Sequence, residues 1–268
     1  MAPDRTFACT AFSLVLVFAA GKAAYGQQPP ASEAGGKAAT VQPVSKEEEK
    51  AIKTFRNTPP SDADKKTQLG ETFIDTFPQS QYRPEVVTWL VKVYATKGQV
   101  DKLQAEGDKE VALSPNNPLS LALLGSNLSR TVTPSTPDEQ KYLDKAQLYC
   151  KKSLEALETA KKPENLSEEK FADAKKQTAA AAYSGLGTIA FRNEKYADAI
   201  TNLDQSVKLG GGSDPVNYYL LGKANEAATN YSAALAAYTK CAAMPGGMQA
   251  PCQASINDVK AHGAVLPK

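Results

Sequence analysis

The chain is short of the side chains that most often hold transition metals or move protons near neutral pH. Its 268 residues include one histidine, four cysteines and one tryptophan. It also lacks charge of one dominant sign: 31 Lys and Arg against 29 Asp and Glu leave a net charge of +2, no field to gather a polyanion, so neither nucleic acid nor an anionic membrane surface is an expected partner. No C-x-x-C pair occurs, which leaves thiol redox chemistry unsupported. The one long apolar run, Phe7 to Ala20, has 14 residues, below the roughly 18 needed for a spanning helix. What is plentiful is apolar surface in general, at 42%, enough for a sizeable core.

The apolar run sits behind Arg5 and ahead of Ala24-Tyr25-Gly26, a small-x-small cleavage pattern, so residues 1–26 read as an export signal cut before Gln27. A membrane-anchoring helix is the competing reading, and the shortness of the run argues against it. Cys9 precedes the run and Thr6-Phe7-Ala8 is no lipobox context, so lipidation there is not expected. Cleavage removes Arg5, Lys22 and Asp4, leaving 29 basic and 28 acidic side chains. The mature chain is expected to be periplasmic or secreted, with no stable membrane span. Residues 27–45, rich in Gln, Pro, Ala, Ser and Gly without helical or strand period, read as a flexible linker.

From Lys46 onward helix periodicity continues almost unbroken, and sustained strand alternation is missing, which predicts an all-α domain over residues 46–262 and a tail over 263–268. Within it the chain repeats itself. Tyr183-Ser184-Gly185-Leu186-Gly187 matches Tyr218-Tyr219-Leu220-Leu221-Gly222, and Tyr196-Ala197-Asp198-Ala199-Ile200 matches Tyr231-Ser232-Ala233-Ala234-Leu235, both at a spacing of 35. The pattern resembles the tetratricopeptide repeat, two antiparallel helices per unit. Gly187 and Gly222 lack a Cβ and Ala199 and Ala234 carry only a methyl, which predicts a close approach of the two helices in each unit, with Tyr183 and Tyr218 filling neighbouring gaps. An irregular helical bundle is the competing architecture.

Units 180–214 and 215–248 are the clearest; 46–83, 84–117 and 118–162 are degenerate, the last interrupted by Thr131-Val132-Thr133-Pro134-Ser135-Thr136-Pro137. Phe77-Pro78-Gln79-Ser80-Gln81-Tyr82 is similar to an inter-repeat turn of envelope members of that family. The resemblance implies a right-handed superhelical solenoid of antiparallel helix pairs, about four to five units with a C-terminal capping helix. Cap signals fit this division: Thr136 as N-cap, Pro137 as first helical residue and Glu139 as third, then Ser167-Glu168-Glu169 opening a helix of 26 residues to Asn193, about 39 Å long. Leu69, Phe73 and Phe77 share one face of an N-terminal helix pair split by Pro59-Pro60.

Of the mature cysteines, Cys241 near the end of one helix and Cys252 near the start of the next flank the turn Met244-Pro245-Gly246-Gly247. In an exported chain they are expected to form a disulfide that pins the cap. Cys150 is expected to be buried as a small apolar residue. His262 reads as a surface residue, Trp89 as core, and Gly210-Gly211-Gly212 as a turn with no phosphate-loop Lys-Ser/Thr behind it. No catalytic, metal or cofactor constellation emerges.

What remains is a binding scaffold, not an enzyme, for a protein or peptide partner; a structural subunit of an envelope complex is the alternative, and a cell-wall hydrolase the more distant one. The resemblance implies that helix-A positions line a concave groove. They fall on Ser184, Thr188, Phe191 and Arg192 in one clear unit, on Tyr219, Lys223 and Glu226 in the next, and on Lys92, Ser126 and Arg130 upstream. Rings with spaced cations imply an extended or helical segment bearing some acidic groups. Ser184 and Thr188 depart from the Lys and Asn of the family's carboxylate clamp, so capture of a C-terminal tail is not implied.

Overall fold

The computed structural model describes residues 44–163 and 166–266. The expected signal and nearly all of the linker lie outside the described residues. Eleven helices and no strand are present among those described: α1 Lys46–Asn57, α2 Ala63–Thr76, α3 Arg83–Thr96, α4 Val100–Leu113, α5 Pro118–Thr131, α6 Glu139–Thr159, α7 Glu168–Arg192, α8 Tyr196–Leu209, α9 Pro215–Ala227, α10 Tyr231–Ala242 and α11 Gln249–Ala261. The protein is all-α. None of the described helices is long and apolar enough to cross a membrane.

Helix starts follow from local chemistry. Ser45 Oγ accepts from Glu48 N at 3.0 Å, Ser167 Oγ from Lys170 N at 3.3 Å, and Asp214 Oδ1 from Val216 N at 2.9 Å with Pro215 at the first helical position. One expected start is corrected. Thr136 does not cap α6: its Oγ1 accepts from Thr133 N at 2.9 Å and closes a turn there, so the helix begins later, behind Asp138 at φ 55°. α7 runs 25 residues, about 37 Å at 1.5 Å per residue.

Each helix packs on its chain neighbours, and α3, α5, α7 and α9 also pack on one another in series. Glycine permits the closest approaches. A Cβ on Gly187 would meet Leu203 Cγ at 2.6 Å, and one on Gly222 would run into the Tyr238 ring, so the same notch recurs with a large side chain seated in it. Ala199 and Ala234 are fully buried as expected, but Leu203 and Tyr238, not the alanines, fill the notches. Cys150 is wedged between two more glycines: a Cβ on Gly185 would lie 2.5 Å from its Sγ, and Gly125 abuts the same sulfur.

The largest apolar cluster runs from Ile52 and Phe55 on α1 through Leu90, Leu121 and Leu143 to Ile189 on α7. Smaller ones continue it, Ala199, Leu203 and Leu221 first, then Leu235, Tyr238, Ile256 and Val259 under α11. Cys241 and Cys252 are joined, their Cα atoms 6.0 Å apart and both residues fully buried, which ties the start of α11 to the end of α10.

Candidate functional site

A cleft of about 1380 Å³ crosses the serial row α3, α5, α7 and α9. Its walls carry Val91, Leu123, Val207, Val216 and Tyr219. One rim is the Thr133–Pro137 stretch of the insertion after α5, and another is the turn with Gly247 and Met248 that the disulfide closes. Neither rim was foreseen as part of a site. The only signal was the broken spacing of the 118–162 unit, which marks extra chain without saying which surface it reaches.

The cleft's arginines are already partnered. Arg130 Nη2 on α5 lies 2.7 Å from Ser184 Oγ on α7, 2.6 Å from Asp214 Oδ2 and 2.7 Å from Asn217 Oδ1 on α9. The network runs on inward: Ser184 Oγ donates to Asn217 Oδ1 at 2.8 Å, Asn217 Nδ2 donates to Ser206 Oγ at 2.9 Å, and Ser206 Oγ donates to Ala180 O at 2.8 Å. A mostly buried guanidinium needs partners that replace its hydration; at Nη2 the protein supplies them, while Nε is buried without one. Arg192 is held likewise, Nη1 on Glu139 Oε1 at 3.1 Å and Nη2 on Val132 O.

Eight of the ten groove residues expected from sequence line this cleft: Lys92, Ser126, Arg130, Ser184, Thr188, Phe191, Arg192 and Tyr219. They differ in what they present. Lys92 is exposed and has no ion-pair partner among the described residues, whereas Ser126, Ser184 and Thr188 are buried and their hydroxyls are spent on protein oxygens. Phe191 is half-buried with its ring 6.0 Å from that of Tyr196, and Tyr219 likewise against Tyr238. Lys223 and Glu226 stand outside the lining. They pair with each other at 3.0 Å, and Tyr238 OH donates to Glu226 Oε2 at 2.6 Å. Burial, and after it that hydrogen bond, push the Tyr238 hydroxyl far above its ordinary pKa.

The other concentration of ionisable groups lies between α3 and α4, where Glu106 also lines a smaller pocket with Glu71, Asp75, Lys102 and Lys109. Arg83 Nη2 bonds Glu106 Oε1 at 2.5 Å and Nε bonds Glu110 Oε1 at 2.6 Å, leaving Arg83 Nη1 and Glu110 Oε2 without partners. Burial raises both carboxyl pKa values against the pull of Arg83, that of Glu106 to about 7. This pair is buried away from the cleft lining. Cys150 is fully buried, its thiol pushed up to about 12 by desolvation, and His262 stacks on Tyr231 at 4.9 Å. Among the described residues no three His, Cys, Asp or Glu side chains gather as a metal site. No protein-family model, curated protein or solved structure matches the chain.

Proposed function

We propose that the protein is a non-enzymatic binding scaffold that holds a peptide segment or partner protein in the cleft across α3, α5, α7 and α9. The observation that carries this reading is the convergence on one cleft of eight of the ten residues that the repeat resemblance implies for a groove. The same register supports a tetratricopeptide-like solenoid of about four to five units capped by α11. Its support lies in the glycine notches at Gly187 and Gly222 and in the serial packing of alternate helices. Export through a cleavable signal, with a periplasmic or secreted destination, accords with a buried Cys241–Cys252 bridge, since such bonds persist in oxidising compartments.

Site-specific photocrosslinking in cells tests the reading. A photoreactive residue at Thr96 or Gln177, both exposed and lining the cleft, is expected to yield an adduct with one partner, while Lys151, exposed and outside the lining, is expected to yield none. Equal adducts at all three positions would remove the cleft from the function.

A further inference from the structure

One wall of the cleft, Thr133, Pro134, Thr136 and Pro137, belongs to the connection between α5 and α6 and not to a helix. Its polar groups are spent on one another. Thr133 N donates to Thr136 Oγ1 at 2.9 Å and Thr136 N to Thr133 O at 2.8 Å, while the Thr133 hydroxyl lies 2.9 Å from that of Ser135 and 3.1 Å from that of Thr136. The two prolines have no N–H to offer. Such a wall meets an occupant by shape, through methyl groups and pyrrolidine rings, and shape selects only where the wall keeps its place.

A single side chain from another element spans that wall. Arg192, in the last turn of α7, donates from Nη2 to Val132 O just before the stretch and bonds Glu139 Oε1 from Nη1, just after it, at 3.1 Å. Both anchor points are fixed. Glu194 at φ 57° ends α7, its N donating to Phe191 O at 3.0 Å and Lys195 N to Ala190 O at 2.9 Å, the paired hydrogen bonds of a left-handed helix cap. Val132 is fully buried in the same apolar cluster as Leu128 and Ile189. Arginine suits the task because its planar fork presents several N–H groups at fixed angles, whereas an ammonium is a point donor on a flexible stem. At 20% exposure for Arg192 and 30% for Glu139 the pair is partly shielded from screening. From this geometry we infer that Arg192 is a positioning residue: it sets the place of the 133–137 wall before an occupant arrives, and the fixed wall makes the cleft selective, a role that rests on the scaffold reading.

Two readouts on the full chain test it. With Cys9→Ser, Cys150 buried and the other two cysteines bridged, spin labels can be confined to Ser135→Cys and Lys195→Cys, exposed positions on either side of the clamp. With no ligand present the parent is expected to give one narrow distance distribution, and Arg192→Met one at least about twice as wide. Arg192→Lys, which keeps the charge at the end of α7, is expected to widen the distribution while melting within about 2 °C of the parent. An Arg192→Met distribution as narrow as the parent's would overturn the inference. The second readout is the adduct formed in cells by a photoreactive residue at Gln177, in the cleft lining but outside the wall. Its yield with the parent's partner is expected to fall at least about threefold in Arg192→Lys. An undiminished yield in a variant whose distribution has widened would overturn the selective role and leave the scaffold reading standing. No adduct from the parent either would overturn the scaffold reading itself, with the distance distributions still deciding whether Arg192 positions the wall.

Discussion

Arg130 and Asp214 lie 2.6 Å apart although 84 residues separate them, so one guanidinium ties α5 to the first turn of α9 across α7. Both side chains are mostly shielded, with 23% and 17% exposure. Arg130→Met would leave Asp214 and Asn217 facing a thioether, and a loss of about 2 kcal/mol is expected from the abandoned buried acceptors. Urea unfolding measures it. A change below about 0.5 kcal/mol would place the pair among solvent-screened contacts of little weight.

Glu106 sets a pH dependence of stability. Its folded pKa of about 7 lies above its ordinary 4.5, so between those values the folded state holds a proton that the unfolded chain releases. Stability from this group is therefore complete below about 4.5 and declines as pH rises through about 7. Glu106→Gln keeps an acceptor for Arg83 and removes the titration. The variant is expected to equal or exceed the parent at pH about 8 and to gain less on acidification to pH about 5, the remaining slope belonging to Glu110, whose pKa is also raised. Denaturation midpoints at the two pH values decide it, and an unchanged slope would mean that Glu106 titrates as an ordinary carboxyl.

Gly187→Ala would place a methyl 2.6 Å from Leu203 Cγ and 2.9 Å from Cδ2. Overpacking at such a helix crossing is expected to cost about 1–3 kcal/mol, and Leu203→Ala in the same chain to recover part of it, since the two changes compete for one space. Strictly additive costs in the double-mutant cycle would show that the notch is not where the helices meet.

That notch shows how far the sequence could be read. The recurrence of Gly187 and Gly222 announced close helix crossings without alignment to any other protein. It did not say which side chain enters them, because both the alanines and Leu203 or Tyr238 lie on the buried stripe of the facing helix. The helix start with one unambiguous polar cap, at Ser167, was legible. Thr136 was not, because its hydroxyl could serve either a helix or the turn from Thr133, and the turn won. Eight of the ten positions carried over from the repeat resemblance fall on the cleft lining, and Lys223 and Glu226 do not. The charge state of the cleft was not legible: Asp214 and Glu139 come from separate elements, and no local pattern shows that they would neutralise Arg130 and Arg192.

The C-terminal helix depends on its covalent tie. α11 packs mainly on α10, through Cys252, Ile256 and Val259. Replacing Cys241 and Cys252 together by Ser is expected to lower stability by about 3 kcal/mol in the chain-entropy account of a short closed loop. Non-reducing peptide mapping should find the two in one linked peptide, with Cys150 unmodified by thiol reagents until the chain is unfolded, in keeping with its complete burial. Rapid labelling of Cys150 in the native protein would contradict its place between Gly125 and Gly185.

Tyr219 is the residue where binding and folding are hardest to separate. Its ring lines the cleft and also sits 6.0 Å from the fully buried Tyr238 ring, with Lys223 Nζ 6.0 Å from its own centroid and 5.7 Å from that of Tyr238. Truncation removes a half-buried aromatic from that stack, so Tyr219→Ala is expected to cost about 1–3 kcal/mol even with no ligand present. Lys223→Glu would oppose Glu226 at a contact now 3.0 Å long and disturb the Tyr238 hydroxyl that shares that carboxylate. A loss of capture in either variant would therefore not by itself identify a contact residue. Lys92→Glu and Gln177→Ala avoid the difficulty, since both side chains are exposed, line the cleft and lack an ion-pair partner among the described residues. Both are expected to unfold within about 0.5 kcal/mol of the parent while weakening partner capture, Lys92→Glu more strongly for any ligand that carries its carboxylate at the α3 end. Parallel melting and capture measurements on these two variants and on Tyr219→Phe, which keeps the ring, separate the two roles. Full capture by both exposed-site variants would confine binding to the Tyr219 end of the cleft.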